Sequence, residues 1–199
     1  MSILEMLGQQ LDAGALQQMS QKLGTDPSTT SNAVSAALPM LMGALAKNSA
    51  EPQGAAALAG ALDRDHDGSV LDDLAGFLGG GNAESIGGGI LRHMLGGRPT
   101  AAADAVGQAS GLDAGKASQL LAMLAPLVMG ALGKQKRGGS LDPGGLAGML
   151  AQERGRVESQ PGGSILTQIL DRDGDGQVGD DIASLGAGLL GGLLGGKRR

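Results

Sequence analysis

Asp63-Arg64-Asp65-His66-Asp67-Gly68-Ser69-Val70-Leu71-Asp72-Asp73 returns later in the chain as Asp171-Arg172-Asp173-Gly174-Asp175-Gly176-Gln177-Val178-Gly179-Asp180-Asp181. Each stretch sets carboxylates at alternate positions, then a glycine, a valine two residues on, and a closing acidic pair. Alternate spacing lets one turn of chain aim successive side-chain oxygens at a common point, as a hard cation with roughly six to eight oxygen ligands requires. Gly68 and Gly176 stand where such a turn bends sharply, through a positive φ that is cheap only without a Cβ. The candidate ligands are Asp63, Asp65, Asp67, Ser69 through its carbonyl, and Asp73, and in the second stretch Asp171, Asp173, Asp175, Gln177 through its carbonyl, and Asp181. The expected ion is Ca²⁺, one in each loop. The competing reading is a solvated acidic turn capping a helix N-terminus, where carboxylates are favoured in any case. Two copies, each between apolar helical segments, favour the metal.

The spacing is that of the front half of an EF-hand loop, with a departure at its end. The twelfth position, where a bidentate Glu closes the shell, holds Leu74 and Ile182. A loop one residue shorter, closed by Asp73 and Asp181 from the start of the exiting helix, repairs the pattern. Dockerin-type loops also close with Asp, at the twelfth place. The shorter side chain implies weaker binding than in a high-affinity buffer. Val70 and Val178 sit where paired loops join through a short backbone bridge, so the two loops either meet back to back or lie at opposite ends of a helical array in which each repeat contacts only its neighbour.

The duplication extends beyond the loops. Residues 38–47 (LPMLMGALAK) align with 125–134 (APLVMGALGK) at an offset of 87, which also pairs Gly24 with Gly111, Asp26 with Asp113 and Ile3-Leu4 with Ile90-Leu91. The expected organisation is all-α: two tandem helical repeats, 1–86 and 87–199, each with a helix–acidic loop–helix unit. The second carries an insertion at about 135–160, rich in Gly, Pro and charge. Asp26-Pro27 reads as an N-cap followed by proline at the first helical position. Val34, Leu38, Leu41 and Leu45 then recur at helical spacing. Pro39 and Pro126 are expected to kink or break their helices. Residues 120–132 are apolar all round, as in a fully buried helix. Shorter helices are expected at 2–11, 13–23, 53–62 and 71–79.

The Leu-rich N-terminal helix, the Ala-Leu-Pro-x-Leu-x-Gly-Ala-Leu segment, the acidic loop with its flanking leucines and the Leu-Gly-Gly runs together resemble the YidB-like family of bacterial proteins of unknown function. The resemblance covers most of the chain. It implies a bacterial helical protein and brings neither an activity nor catalytic residues with it.

Composition narrows the function classes. Phe77 is the only aromatic among 199 residues, Cys is absent and Gly numbers 38. Every helical Gly costs about 1 kcal/mol relative to Ala, so modest intrinsic stability is expected, raised by metal or self-association. The two loops hold ten of the twenty acidic residues; without them the net charge of −5 would become +5. The acidity is local and suited to divalent cations. With no aromatic platform and no basic stripe, nucleic acid is not an expected partner. Without cysteine, thiolate catalysis and cysteine-based zinc sites are excluded. His66, replaced by Gly174 in the second loop, is expected to face solvent, and His93 has neither acid nor nucleophile beside it in sequence. Gly111 to Ser118 hints at a phosphate loop, but the required first glycine is Ser110 and no strand precedes it; it reads as a helix start capped by Asp113. No catalytic constellation and no small-molecule substrate site is apparent.

The chain's first residues lack a basic, apolar leader, and no uncharged apolar stretch reaches the roughly 18 to 20 residues that span a bilayer, so the cytoplasm is the default location. The tail, 185–196 followed by Lys197-Arg198-Arg199, has three readings: a frayed end, a small-residue helix contact, or a membrane-surface helix. The function expected from all this is a non-enzymatic, calcium-binding structural or assembly protein in which metal orders helix packing or self-association. The alternative is a membrane-active or filament-forming protein working through its Gly/Leu-rich helices.

Overall fold

The structure, a computed structural model, describes residues 2–66, 68–96 and 98–158. Residues up to Gly155 form one unit; of a second, beginning at Arg156, only 156–158 are described, the end of the last helix. Regular structure among the described residues is entirely helical: α1 (Ile3–Gln10), α2 (Ala13–Leu23), α3 (Pro27–Asn48), α4 (Pro52–Arg64), a 3₁₀ turn (Ser69–Leu71), α5 (Leu74–Gly79), α6 (Ala83–Met94), α7 (Pro99–Ser110), α8 (Ala114–Gly138) and α9 (Pro143–Glu158).

The starts of these helices are written locally. Asp12, Asp26, Asp73 and Asp113 are N-caps whose carboxylates accept from the amides of Ala15, Thr29, Gly76 and Lys116. Asp142 accepts from Gly145 in the same way at the head of α9. These bonds satisfy amides that have no partner inside the helix. Ser2 caps α1 in a reciprocal box with Glu5. Proline opens α3, α4, α7 and α9, where its missing N–H is no loss. Gly111 to Ser118 is accordingly the start of α8 and not a phosphate loop.

α8 is the centre of the unit. Every residue from Leu120 to Gly133 is buried, and α1, α3, α4, α6, α7 and the 3₁₀ turn all pack on it. Its length and apolarity would suit a bilayer, but most of its apolar stretch is covered by these neighbours. Leu120, Leu121, Leu124 and Leu127 are fully enclosed, and each such leucine contributes about 1.5–3 kcal/mol. α3 presents Val34, Leu38, Leu41 and Leu45 to the same core, the stripe its spacing predicts.

The internal prolines do not break their helices: α3 runs through Pro39 and α8 through Pro126. Pro126 has no N–H to offer the carbonyl of Ala122 one turn back. At that carbonyl α6 crosses: a Cβ added to Gly87 would overlap the Ala122 oxygen and lie 2.9 Å from its Cα. The two backbones touch because the residue between them has no side chain. α6 and α8 are thus joined by main-chain contact at the carbonyl to which Pro126 offers no N–H.

The 135–160 insertion contains α9, which composition alone gave no reason to expect. Leu146 and Leu150 are fully buried, and Glu153 is 4% exposed. The Ser2 hydroxyl donates to Glu153 at 2.5 Å, placing a carboxylate at the positive end of α1, where the helix dipole favours it. Side chains also close helix ends: Asn48 donates to the carbonyls of His93 and Met94 at the end of α6, and Lys116 to Gly24 at the end of α2.

Two outcomes follow. Gly87→Ala is expected to lower stability by about 1–3 kcal/mol through overpacking, whereas Gly88→Ala, with open space around its Cβ position, is expected to be neutral or to stabilise by up to about 1 kcal/mol; chemical denaturation measures both. Asp26 accepts from the Ser28 hydroxyl, the Thr29 amide and the Thr29 hydroxyl, which together hold its carboxyl well below the usual carboxylate range. The unfolded chain therefore takes up that proton first, so the stabilisation is complete above about pH 4 and is lost as pH falls through the folded value. The difference in Tm between the wild type and Asp26→Asn should be largest at neutral pH and shrink below about pH 4; an unchanging difference would contradict this account.

Candidate metal centre

The first acidic stretch forms the connection between α4 and α5. Asp63 lies in the last turn of α4, and Asp65 is its C-cap residue. Asp67 falls outside the described residues. Gly68 has φ 87° and ψ −2°, the left-handed conformation that its place in the motif demands. Ser69 begins the 3₁₀ turn, its carbonyl accepting from the Asp72 amide at 3.0 Å. Asp73 is the N-cap of α5, its Oδ1 accepting from the Gly76 amide at 2.9 Å. Helix end, glycine turn and helix start thus follow in the order the sequence predicts. Asp171, Asp173, Asp175, Gln177, Asp181 and the C-terminal tail lie outside the described residues.

The turn rests on α8. A Cβ on Gly68 would come 3.0 Å from the Gly130 carbonyl oxygen and 3.2 Å from the Cβ of Lys134; one on Gly130 would come 2.5 Å from Val70 Cγ1. Val70 is therefore spent on the face of α8, and its backbone is in the 3₁₀ turn and not in an extended segment. Val178, its expected partner in a bridge between loops, is outside the described residues.

Two ion pairs complete the contact. Lys136 Nζ lies 2.6 Å from Asp63 Oδ1, and Lys134 Nζ lies 3.3 Å from Asp72 Oδ1. The Lys136 side chain is 14% exposed and that of Asp63 57%. The cations project from the last turns of α8, where the dipole favours positive charge and would disfavour a bare acidic turn. Among the described residues, no three Asp, Glu or His side chains gather as a metal site. Asp63 is turned to a lysine, and Asp73 lends an oxygen to a helix cap.

His66 is half-buried, not solvent-facing as its absence from the second loop suggested. Burial lowers its pKa below the ordinary imidazole value, and neighbouring Asp65 opposes that shift. His93 bonds the carbonyl of Gly89 through Nδ1 within its own helix. The lysine partners are the residues that sequence reasoning missed. Both lie in the duplicated Gly-Ala-Leu-x-Lys segment or just after it, but nothing local ties them to aspartates 62 and 73 positions earlier.

Gly68→Ala is expected to destabilise the fold by about 1–3 kcal/mol, since it forces a left-handed alanine against the Gly130 carbonyl. Equilibrium unfolding in urea measures this.

Neither a curated protein nor a solved structure matches the chain. The profile described as "Bacterial protein of unknown function (DUF937)" matches residues 5–135 and 138–199. The chain, whose described residues are helical and whose acidic turn is set on a glycine-bearing core helix, belongs to that bacterial family.

Proposed function

We propose that the protein is a non-enzymatic calcium-binding module in which Ca²⁺ at the acidic turns orders helix packing or self-association. The observation that carries this reading is Gly68: the sixth residue of an Asp-x-Asp-x-Asp-Gly run is left-handed and lies against the Gly130 carbonyl of the most buried helix. A cation drawing Asp63, Asp65, Asp67, the Ser69 carbonyl and Asp73 together would act on the end of α4, the start of α5 and the face of α8 at once. Asp73 has a second carboxylate oxygen beyond the one that accepts from the Gly76 amide.

The reading includes a duplicated architecture with a second site at Asp171 to Asp181. Helices α1 to α4 and α6 to α9 follow one another in the same order. At the offset of 87, the caps Asp26 and Asp113, the left-handed ends Gly24 and Gly111, and the internal prolines Pro39 and Pro126 coincide. That correspondence supports two tandem repeats derived from one helical unit.

Titration of the chelator-treated full chain with Ca²⁺ in a calorimeter is expected to show two sites. Saturation should raise Tm, since ligand at 100 times Kd stabilises by about 2.7 kcal/mol per site. Asp63→Ala should remove one site and leave the far-ultraviolet dichroism of the metal-free protein unchanged. Absence of both heat and Tm shift at millimolar Ca²⁺ would overturn the proposal.

A further inference from the structure

We propose that the outer face of α6 binds a second copy of this chain, α6 against α6 in antiparallel sense, with Glu84 of each copy opposite Arg92 of the other. The face lies apart from the acidic turn. It specifies the self-association named in the reading above and does not depend on calcium.

α6 is covered on one side. Ala83, Gly87, Leu91 and Met94 are buried, and the helix packs on α8 and α3. The opposite side carries Glu84, Ser85, Arg92 and His93, all exposed. It also carries Ile86, the large apolar side chain left exposed among the described residues, at 47%. One exposed isoleucine is ordinary on a protein surface; its setting is not. Ser85, Gly88, Gly89 and Arg92 follow at three- and four-residue spacing and share one seam. Glu84 lies along one edge of that seam and Ile86 along the other. Gly88 and Gly89 weaken the helix, yet the space at their Cβ positions is open, whereas Gly87 is needed where α6 touches α8.

The charges decide the occupant. Glu84 and Arg92 are eight residues apart, beyond the one-turn spacing at which helical side chains pair. Neither has an ion-pair partner among the described residues. Gly88 stands midway between them. A twofold axis through the seam at Gly88 turns an identical α6 end for end and sets Glu84 of each copy opposite Arg92 of the other. The patch is thus complementary to itself, as an isologous dimer requires. Each helix start then lies beside the other's end, which suits their dipoles. The glycines let the two axes approach closely, and Ile86 falls over the edge formed by Ile90 and His93 of the other copy. A ligand of one sign of charge would face its own sign at one end of the seam, which favours the second copy over an acidic or a basic peptide. Twelve helical residues are about 18 Å long, so the contact belongs with the small interfaces, under about 1,200 Å², of reversible complexes.

The test is sedimentation velocity on the full chain from about 10 μM to about 1 mM, in chelator and again in Ca²⁺. The wild type is expected to pass from monomer to dimer in both. Glu84→Arg and Arg92→Glu should each weaken the dimer about tenfold, because two exposed contacts turn from attraction to repulsion, and Glu84→Arg combined with Arg92→Glu should restore it. Ile86→Ser should weaken it as well. Circular dichroism checks each fold; should a charge variant fail to fold, Ile86→Ser on the other edge still decides. A wild type that stays monomeric throughout, an assembly unchanged by these substitutions, or a double variant no better than the single ones would overturn the proposal. Calcium heat without a dimer would overturn this face alone, and a dimer without calcium heat would overturn the calcium reading alone.

Discussion

A core with almost no aromatic side chains can be filled only by bringing helix backbones close together, and the rest of this structure depends on how that is done. Leucine, alanine and methionine leave gaps between helices at ordinary separation, and interiors do not tolerate gaps. Here α6 is set directly on α8 at Gly87, and the acidic turn is set on α8 at Gly130. Glycine weakens a free helix, yet at these crossings it permits contacts that no other residue would allow. Pro126 belongs to the same arrangement: the carbonyl to which it offers no N–H is the one against which Gly87 lies.

The acidic turn is consequently more than a surface loop. It carries concentrated negative charge to the end of a helix that is itself partly negative there, an arrangement that would drive the turn off the core unless cations intervened. Lys134 and Lys136 supply them from α8. Main-chain contact fixes where the turn sits, and the lysines make its charge acceptable.

Much of the helical framework was legible because its signals are local. Asp-Pro pairs, aspartate caps and three-to-four residue apolar spacing each act within one or two turns, and they located α1 to α4 and the heart of α8. α9 was hidden by its glycines and charges, although Asp142-Pro143 carries the same start signal as Asp26-Pro27. Its buried Leu146 and Leu150 become a core face only when other helices cover them. Pro39 and Pro126 misled in the opposite direction. A proline ends an isolated helix, but the burial on both sides of Pro126 outweighs one lost hydrogen bond. His66 was misjudged for a related reason, since its burial comes from the placement of the turn and not from its neighbours in sequence.

By itself the sequence determined that the described part of the chain is helical, where most of its helices begin, and that Gly68 must turn through positive φ. These follow from interactions among residues a few positions apart, whose energies are set before any tertiary contact forms. The tertiary structure alone decided that α8 is the helix on which the others pack, that Val70 is seated on Gly130, and that Asp63 answers to Lys136. Those facts join segments more than 60 residues apart. They arise from close packing and from charge pairing between distant segments, which exist only once the chain has closed upon itself.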